Sequence, residues 1–314
     1  MSFRLDPGKP YDSELRRVTQ HQIANVKKHA LSVAEDPLKK PHEARKAIKK
    51  IRAALRLARS ADQEFYRTEN ARWREISARL AGPRESAALI ETVDRFMAEF
   101  TDDDNRGTLE TLRANLVIRL ETLESNGEAL EAAGQACVAG CDEGASAVAE
   151  WPLPRGRKAG AHLLAKGAKR AWKDAEAARK EARRSGAEDD FHDLRKAVKR
   201  HWTHLGLLRD FWPDPVKKRR EAVAKLGERL GELNDIYVME GHMRTGEVET
   251  AFDTEGHLAR LLEQKRLDLC RESLAEAKNL FGKPPKGLKA VFETAMERAR
   301  DGTKSKPSKQ RKAA

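Results

Sequence analysis

The sequence predicts an all-α fold. Three observations carry that. Apolar residues recur with the helical period of about 3.6 through nearly the whole chain. No segment of useful length alternates apolar and polar residues as a half-buried strand would. Glycine and proline are sparse, 20 and 12 of 314 residues, and they gather between the periodic stretches.

The elements follow in order. Ser13, Leu15, Val18, Gln22, Val26 and Ala30 hold one helical face, and "EDPLKKPH" breaks it. The next helix is "PHEARKAIKKIRAALRLAR", residues 41–59. "RTENARWREISARLAGPRE" is amphipathic and ends near Gly82-Pro83. "SAALIETVDRFMAEF" continues to the break "TDDDNRG", and two more helices cover roughly 107–125 and 128–149. "AEWPLPRGRKAG", residues 149–160, holds two prolines and two glycines and reads as a hinge. The second half is again helical to about 300, with breaks at "RSGAEDD", "FWPDP" and "GKPPKG".

The chain repeats itself. "FHDLRKAVKRHWTHLGLLR", residues 191–209, matches the stretch at 41–59 at an offset of 150. "LGELNDI" at 230–236 keeps that offset from "LAGPRES" at 80–86. Two copies of one helical unit, packed about a pseudo-twofold axis, are the expected result. Residues 8–298 then form one domain of two halves, about 8–148 and 156–298. Residues 299–314 are basic, lack an apolar pattern, and read as a disordered tail.

Charge sets the function classes. Lys and Arg number 62 against 50 Asp and Glu, a net charge of +12. That balance favours polyanionic partners. No apolar run approaches the length of a membrane helix, and the N-terminus lacks a signal-peptide core. Cys137, Cys141 and Cys270 fit no metal spacing and read as thiols of a reducing cytoplasm.

On a helical wheel, His42, Arg45, Lys49 and Arg56 share a narrow sector, with Lys46 and Arg52 on its flanks. Ala44, Ala47, Ile48, Ile51 and Leu55 fall opposite. The second copy places His192, Arg195, Lys196, Lys199 and Arg200 opposite Leu194, Val198, Leu205 and Leu208. A solvated face usually mixes charge signs. Here Arg45–Lys49, Lys46–Lys50 and Arg52–Arg56 are like pairs, each unfavourable by about 0.2–0.5 kcal/mol. The second copy keeps two such pairs, Arg195–Lys199 and Lys196–Arg200. A cost accepted twice suggests a ligand that neutralises it. Further basic positions extend the candidate site: Arg17, His21, Lys28, His162, Lys166, Lys169, Lys173 and Arg209. For the α-helical sets at 17–28 and 162–173, a solvated face is an equally good reading.

"HEARKAIKKIR" and "HDLRKAVKRHW" resemble the H-x-x-R-x-x-x-[KR]-[KR]-x-R signature of CHAD domains, the conserved histidine α-helical domain family. "LGELND" resembles a later motif of that family. The resemblance covers roughly residues 8–298. It implies two helical bundles of about four or more helices each, with histidines and basic residues lining a central cleft or pore. It implies binding of inorganic polyphosphate and association with polyphosphate granules. The family histidines fall on His42 and His192. Its basic signature falls on Arg45, Lys49, Lys50 and Arg52, and on Arg195, Lys199 and Arg200. Trp202 replaces the last signature Arg in the second half, and Gly206 stands opposite Arg56, so that wall should carry less charge. Arg84 and Asp235 fit the later motif, while Glu85 stands where Asp is usual. Capping or orienting neighbours is the structural reading of Arg84, Glu85, Asn234 and Asp235.

Two rivals remain. An enzyme would need an E-x-E-x-K strand, a P-loop or an H-E-x-x-H helix, and none is present, so no catalysis, metal or cofactor is expected. A nucleic-acid binder could use the tail and stack bases on Trp172 or Trp202, though core packing is the commoner use of such rings.

Overall fold

A computed structural model of the chain describes residues 2–80, 84–100, 103–124, 127–245 and 256–304. Among the described residues there are eleven α-helices and no strand, so the fold is all-α. They are α1 (Tyr11–Leu31), α2 (Lys39–Leu57), α3 (Gln63–Arg79), α4 (Arg84–Glu99), α5 (Asp103–Glu124) and α6 (Gly127–Ala149). Then follow α7 (Arg157–Ser185), α8 (Glu188–Leu207), α9 (Pro213–Thr245), α10 (His257–Phe281) and α11 (Leu288–Lys304). No described helix is long and apolar enough to cross a membrane.

Local chemistry sets several boundaries. α2 starts at Lys39, within the stretch the sequence reads as a break. Pro41 is tolerated because first-turn positions need no N–H for the helix ladder, and the Asp36 carboxylate accepts the Lys39 N–H at 2.9 Å. The Asp62 side chain caps α3 by accepting from the Phe65 N–H. Gly186 ends α7 in the left-handed region, φ 68°, a conformation that favours glycine. α9 runs unbroken for 33 residues. The corresponding stretch of the first half is two helices, α3 and α4, because Gly82-Pro83 intervenes. α11 continues through Lys304, so residues 299–304 are helical, while 305–314 of the expected tail lie outside the described residues.

Two apolar clusters form the interior. The first joins α1, α2, α3 and α6 through Leu15, Val26, Ile48, Ile51, Trp73 and Val148, and α11 adds Phe292 and Met296. The second joins α7, α8, α9 and α10 through Ala175, Leu194, Val198, Leu226, Leu230 and Phe281. α4 and α5 add Val93, Phe96, Leu109 and Leu112 to this second cluster. The N-terminal segment before α1 is also anchored. Leu5 is fully buried, and its N–H donates to the Leu207 carbonyl at 2.9 Å.

α2 packs against both α7 and α8, which makes it the seam between the clusters. Its approach to α7 depends on Gly167. A Cβ there would lie 2.0 Å from the Leu57 carbonyl oxygen, so no other residue fits without a backbone shift. Gly167→Ala should therefore destabilise by about 1–3 kcal/mol, as overpacking does, although alanine is the better helix former. Gly241→Ala, with open space at its Cβ, should be neutral or stabilise by up to about 1 kcal/mol. Urea denaturation of both variants tests this.

Candidate functional site

α2 and α8 lie side by side, and one hydrogen bond ties them. The His204 Nε2–H on α8 donates to the Ala53 carbonyl on α2 at 2.9 Å. Burial pushes the His204 pKa down to about 4, so this ring is a neutral structural tie at physiological pH. The burial pattern of residues 41–50 repeats at 191–200 in every position but one, Glu43 against Asp193. Both copies thus bury the same face and present the same basic positions.

The tie brings the two rows together. Desolvation lowers the Lys49 pKa, followed by the charges of Arg45 on its own helix and Arg195 on α8. Lys49 nonetheless reaches solvent. Lys199 is pushed down to about 8 by desolvation, then by Arg195 and Lys49, with Asp235 opposing. Desolvation also lowers Arg195, again opposed by Asp235. Three cations from two helices are therefore mutually repelling in the absence of an anion. Lys49 and Lys199 also line a cavity of about 670 Å³ with Lys46, Lys50, Arg209 and Arg220.

Farther along α2 the row turns to guanidinium. Arg52 Nε donates to Asn70 Oδ1 at 3.1 Å, and Arg56 Nε donates to the Tyr66 hydroxyl at 3.2 Å. Arg52 is lowered to about 10 by desolvation, then by Arg56 and Arg74. Arg200 on α8 is lowered by desolvation, then by Arg56. Guanidinium keeps its proton at neutral pH regardless, so these shifts register burial first and like-charge neighbours second. Arg45 and Arg52 also line an open groove with Arg74 of α3.

The heads of the two rows differ in what is fixed around them. His42 and His192 are both half-buried. His192 Nδ1 lies 2.6 Å from Asn234 Oδ1. That oxygen can only accept, so Nδ1 carries the proton. The neutral ring then offers Nε2 as an acceptor alone. Donating from Nε2 to a phosphate oxygen requires a second proton on the ring. Asn234 and Asp235 sit inside α9, so they orient neighbours and do not cap a helix. Asp235 lies 3.4 Å from Arg95, and burial raises its pKa. The side chains of Arg84 and Glu85 lie outside the described residues. Lys46 and Lys196 are exposed, and each pairs with the acid three residues before it, Glu43 at 2.9 Å and Asp193 at 3.0 Å. Such exposed pairs contribute little and release easily.

The additional candidates scatter. Arg17 is bound to buried Glu14 at 2.7 Å and to the Arg4 carbonyl at 3.1 Å, so it fastens the N-terminal segment. His21 lies near Lys50, and its pKa is lowered chiefly by desolvation. Lys28 is exposed on α1. His162, Lys166, Lys169 and Lys173 are all exposed on α7. Gly167, Arg170, Ala171 and Asp174 of α7 line a cavity together with residues of α2 and α8. Arg209 donates to Ser2 Oγ at 2.7 Å at the edge of the larger cavity. Trp172 is occupied: its Nε1–H donates to the Phe281 carbonyl, and Arg219 stacks 3.4 Å from its ring centroid.

Arg220 was not among the sequence candidates. Its guanidinium lies 4.2 Å from the Trp202 ring centroid, and a Cβ on Gly206 would come within 3.6 Å of its Nε. Trp202 and Gly206 remove two cations from α8, and Arg220 of α9 reaches into the space they leave. The second wall is thus less depleted of charge than α8 by itself implies. The offset of 150 pairs Arg220 with the uncharged Asn70, the partner of Arg52, so the repeat gave no basic row to reveal it.

The CHAD domain family model matches residues 17–244. No curated protein matches the chain. Among solved structures, the crystal structure of the CHAD domain from the plant Ricinus communis aligns with a TM-score of 0.62 and 15% identity, over 95% of both chains. At that identity the likeness concerns the fold, and it is the same all-α fold. With its family model covering most of the sequence and its helices arranged alike, the chain belongs to the CHAD domain family.

Proposed function

We propose that the protein binds inorganic polyphosphate along the cleft between α2 and α8, as a binder and not a catalyst. The observation that carries this is the cluster of Lys49, Arg195 and Lys199, drawn from both helices and mutually repelling without an anion. Polyphosphate suits such a cluster. Each internal phosphate offers about one negative charge and unbridged oxygens, which Arg grips in bidentate fashion and Lys meets as a point charge. No base must be read. Association with polyphosphate granules in the cytoplasm is the setting the family resemblance implies.

The test is competition. Long-chain polyphosphate should bind at physiological salt, and duplex DNA or structured RNA at equal phosphate concentration should fail to displace it. Displacement by nucleic acid would favour a general nucleic-acid binder, for which Trp202, 38% exposed, is the remaining stacking ring. Incubation with polyphosphate and Mg²⁺ or Mn²⁺ should release no phosphate. Release that disappears in His42→Ala would overturn the binder reading.

Affinity should also depend on pH through Lys199. Its pKa in the free protein is near 8, and a bound polyanion favours the ammonium form. Between about pH 7 and 9 the free protein loses this proton first. Binding there takes up protons, and affinity falls as pH rises. Calorimetry at pH 8 in buffers of different ionisation enthalpy counts them. Lys199→Arg should reduce the uptake, because guanidinium stays charged throughout.

A further inference from the structure

Where α2 ends, it meets α3, α7 and α8 around a second, smaller cavity of about 140 Å³. Arg56, Arg59, Arg170 and Arg200 line it, together with Asp174 and Tyr66. The four arginines come from three segments of chain far apart in sequence. Among the described residues none of them makes an ion pair within 4.0 Å, Asp174 included. Arg56 bonds only the neutral Tyr66 hydroxyl. The Nε of Arg59 and the Nη1 of Arg170 are buried and have no hydrogen-bond partner. Four guanidinium groups around one small cavity, with Asp174 as the carboxylate in its lining, form a site of net positive charge that an anion would neutralise.

Size and charge identify the acceptor. The cavity is about a fifth of the volume of the one beside Lys49 and Lys199, about 140 against about 670 Å³. It suits a compact anion better than a chain passing through. Four guanidinium groups less the Asp174 carboxylate still leave more positive charge than one internal phosphate can balance. A terminal phosphate differs from an internal one in carrying close to two charges and three unbridged oxygens. The position agrees. Arg56 lies two helical turns beyond Lys49 on the same sector of α2, so a chain following the row would bring its end here.

We infer that the Arg56, Arg59, Arg170 and Arg200 cavity holds the terminal phosphate of a polyphosphate chain, while internal phosphates lie along Lys49, Arg195 and Lys199. This deepens the polyphosphate reading and rests on it. The chain would be bound by its end as well as along its length. The smallest ligand sharing that chemistry is pyrophosphate, which should occupy the cavity by itself, more weakly than a long chain does.

The experiment compares polyphosphate of one length with free ends and with both ends esterified. The wild type should prefer free ends by about tenfold or more, the worth of one good charge-assisted hydrogen bond. The double variant Arg59→Gln, Arg170→Gln should lose that preference and still bind the esterified chain as the wild type does, which also shows that it folds. Equal binding of both chains by the wild type, or a preference that survives in the variant, overturns the inference. If neither chain binds, the polyphosphate reading itself fails. Pyrophosphate then decides for the cavity: a rise in melting temperature confined to the wild type supports a compact-anion pocket, and an equal rise in the variant, or none in either, overturns it.

Discussion

Reversing Arg45 and Lys49 to Glu lowers the affinity for long-chain polyphosphate by at least about 100-fold, and reversing Arg195 and Lys199 does the same. Hydrogen bonds to charged groups contribute about 1.5–3 kcal/mol each, so removing two of them already reaches this range. The reversed charges then repel the chain. Each pair feels the charge of the opposite helix, since Arg195 acts on Lys49 and Lys49 acts on Lys199. Neither pair reaches the apolar interior formed by Ile48, Ile51, Leu194 and Val198. Both variants should therefore keep wild-type helicity. They should melt no lower, since they relieve like-charge repulsion among Lys49, Arg195 and Lys199. Removing residues 305–314 should change affinity far less, because none of the cations proposed to line the cleft lies in that segment. Loss of binding on tail removal, with both reversed variants binding normally, would put the site elsewhere.

Salt should act almost as strongly. A ligand engaging roughly six to ten cations loses about 10³–10⁵ in affinity between about 50 and 200 mM salt through counterion release. On the proposed binding mode the polyanion engages Arg45, Lys49, Arg52, Arg56, Arg195, Lys199, Arg200 and Arg220. Log affinity against log salt should be steep and linear for long chains, and shallower for pyrophosphate, which spans few of these groups. The reversed variants should lower the slope as well as the affinity. Equal affinity and equal slope for pyrophosphate and long chains would point to a small-molecule site in place of an extended one.

Much of the fold was legible because helices announce themselves by period. Ala44, Ile48, Ile51 and Leu55 had to share a face, and they are buried together. What periodicity does not reveal is which neighbour covers which face. His162, Lys166, Lys169 and Lys173 do share one side of α7, yet that side is solvent, and Arg170 stands on the side that meets α2 and α8. Arg17 looked like part of a basic row, but Glu14, three residues earlier, claims it. That spacing was readable in the sequence. Arg220 was hidden by its position on α9, a helix whose own pattern shows no row. His204 belongs to neither basic row. Its use is to tie α8 to the α2 backbone, a contact between residues 151 apart that local spacing cannot signal.

The central claim is that polyphosphate lies between α2 and α8. A crystal structure of the protein with a polyphosphate chain of defined length tests it most directly. The account predicts phosphorus density along the cleft, within hydrogen-bonding distance of Lys49, Arg195 and Lys199. It also predicts a phosphate against His192 Nε2, with Asn234 still holding Nδ1. A chain bound instead on the outer face of α7, along His162, Lys166, Lys169 and Lys173, with the α2–α8 cleft empty, would contradict it.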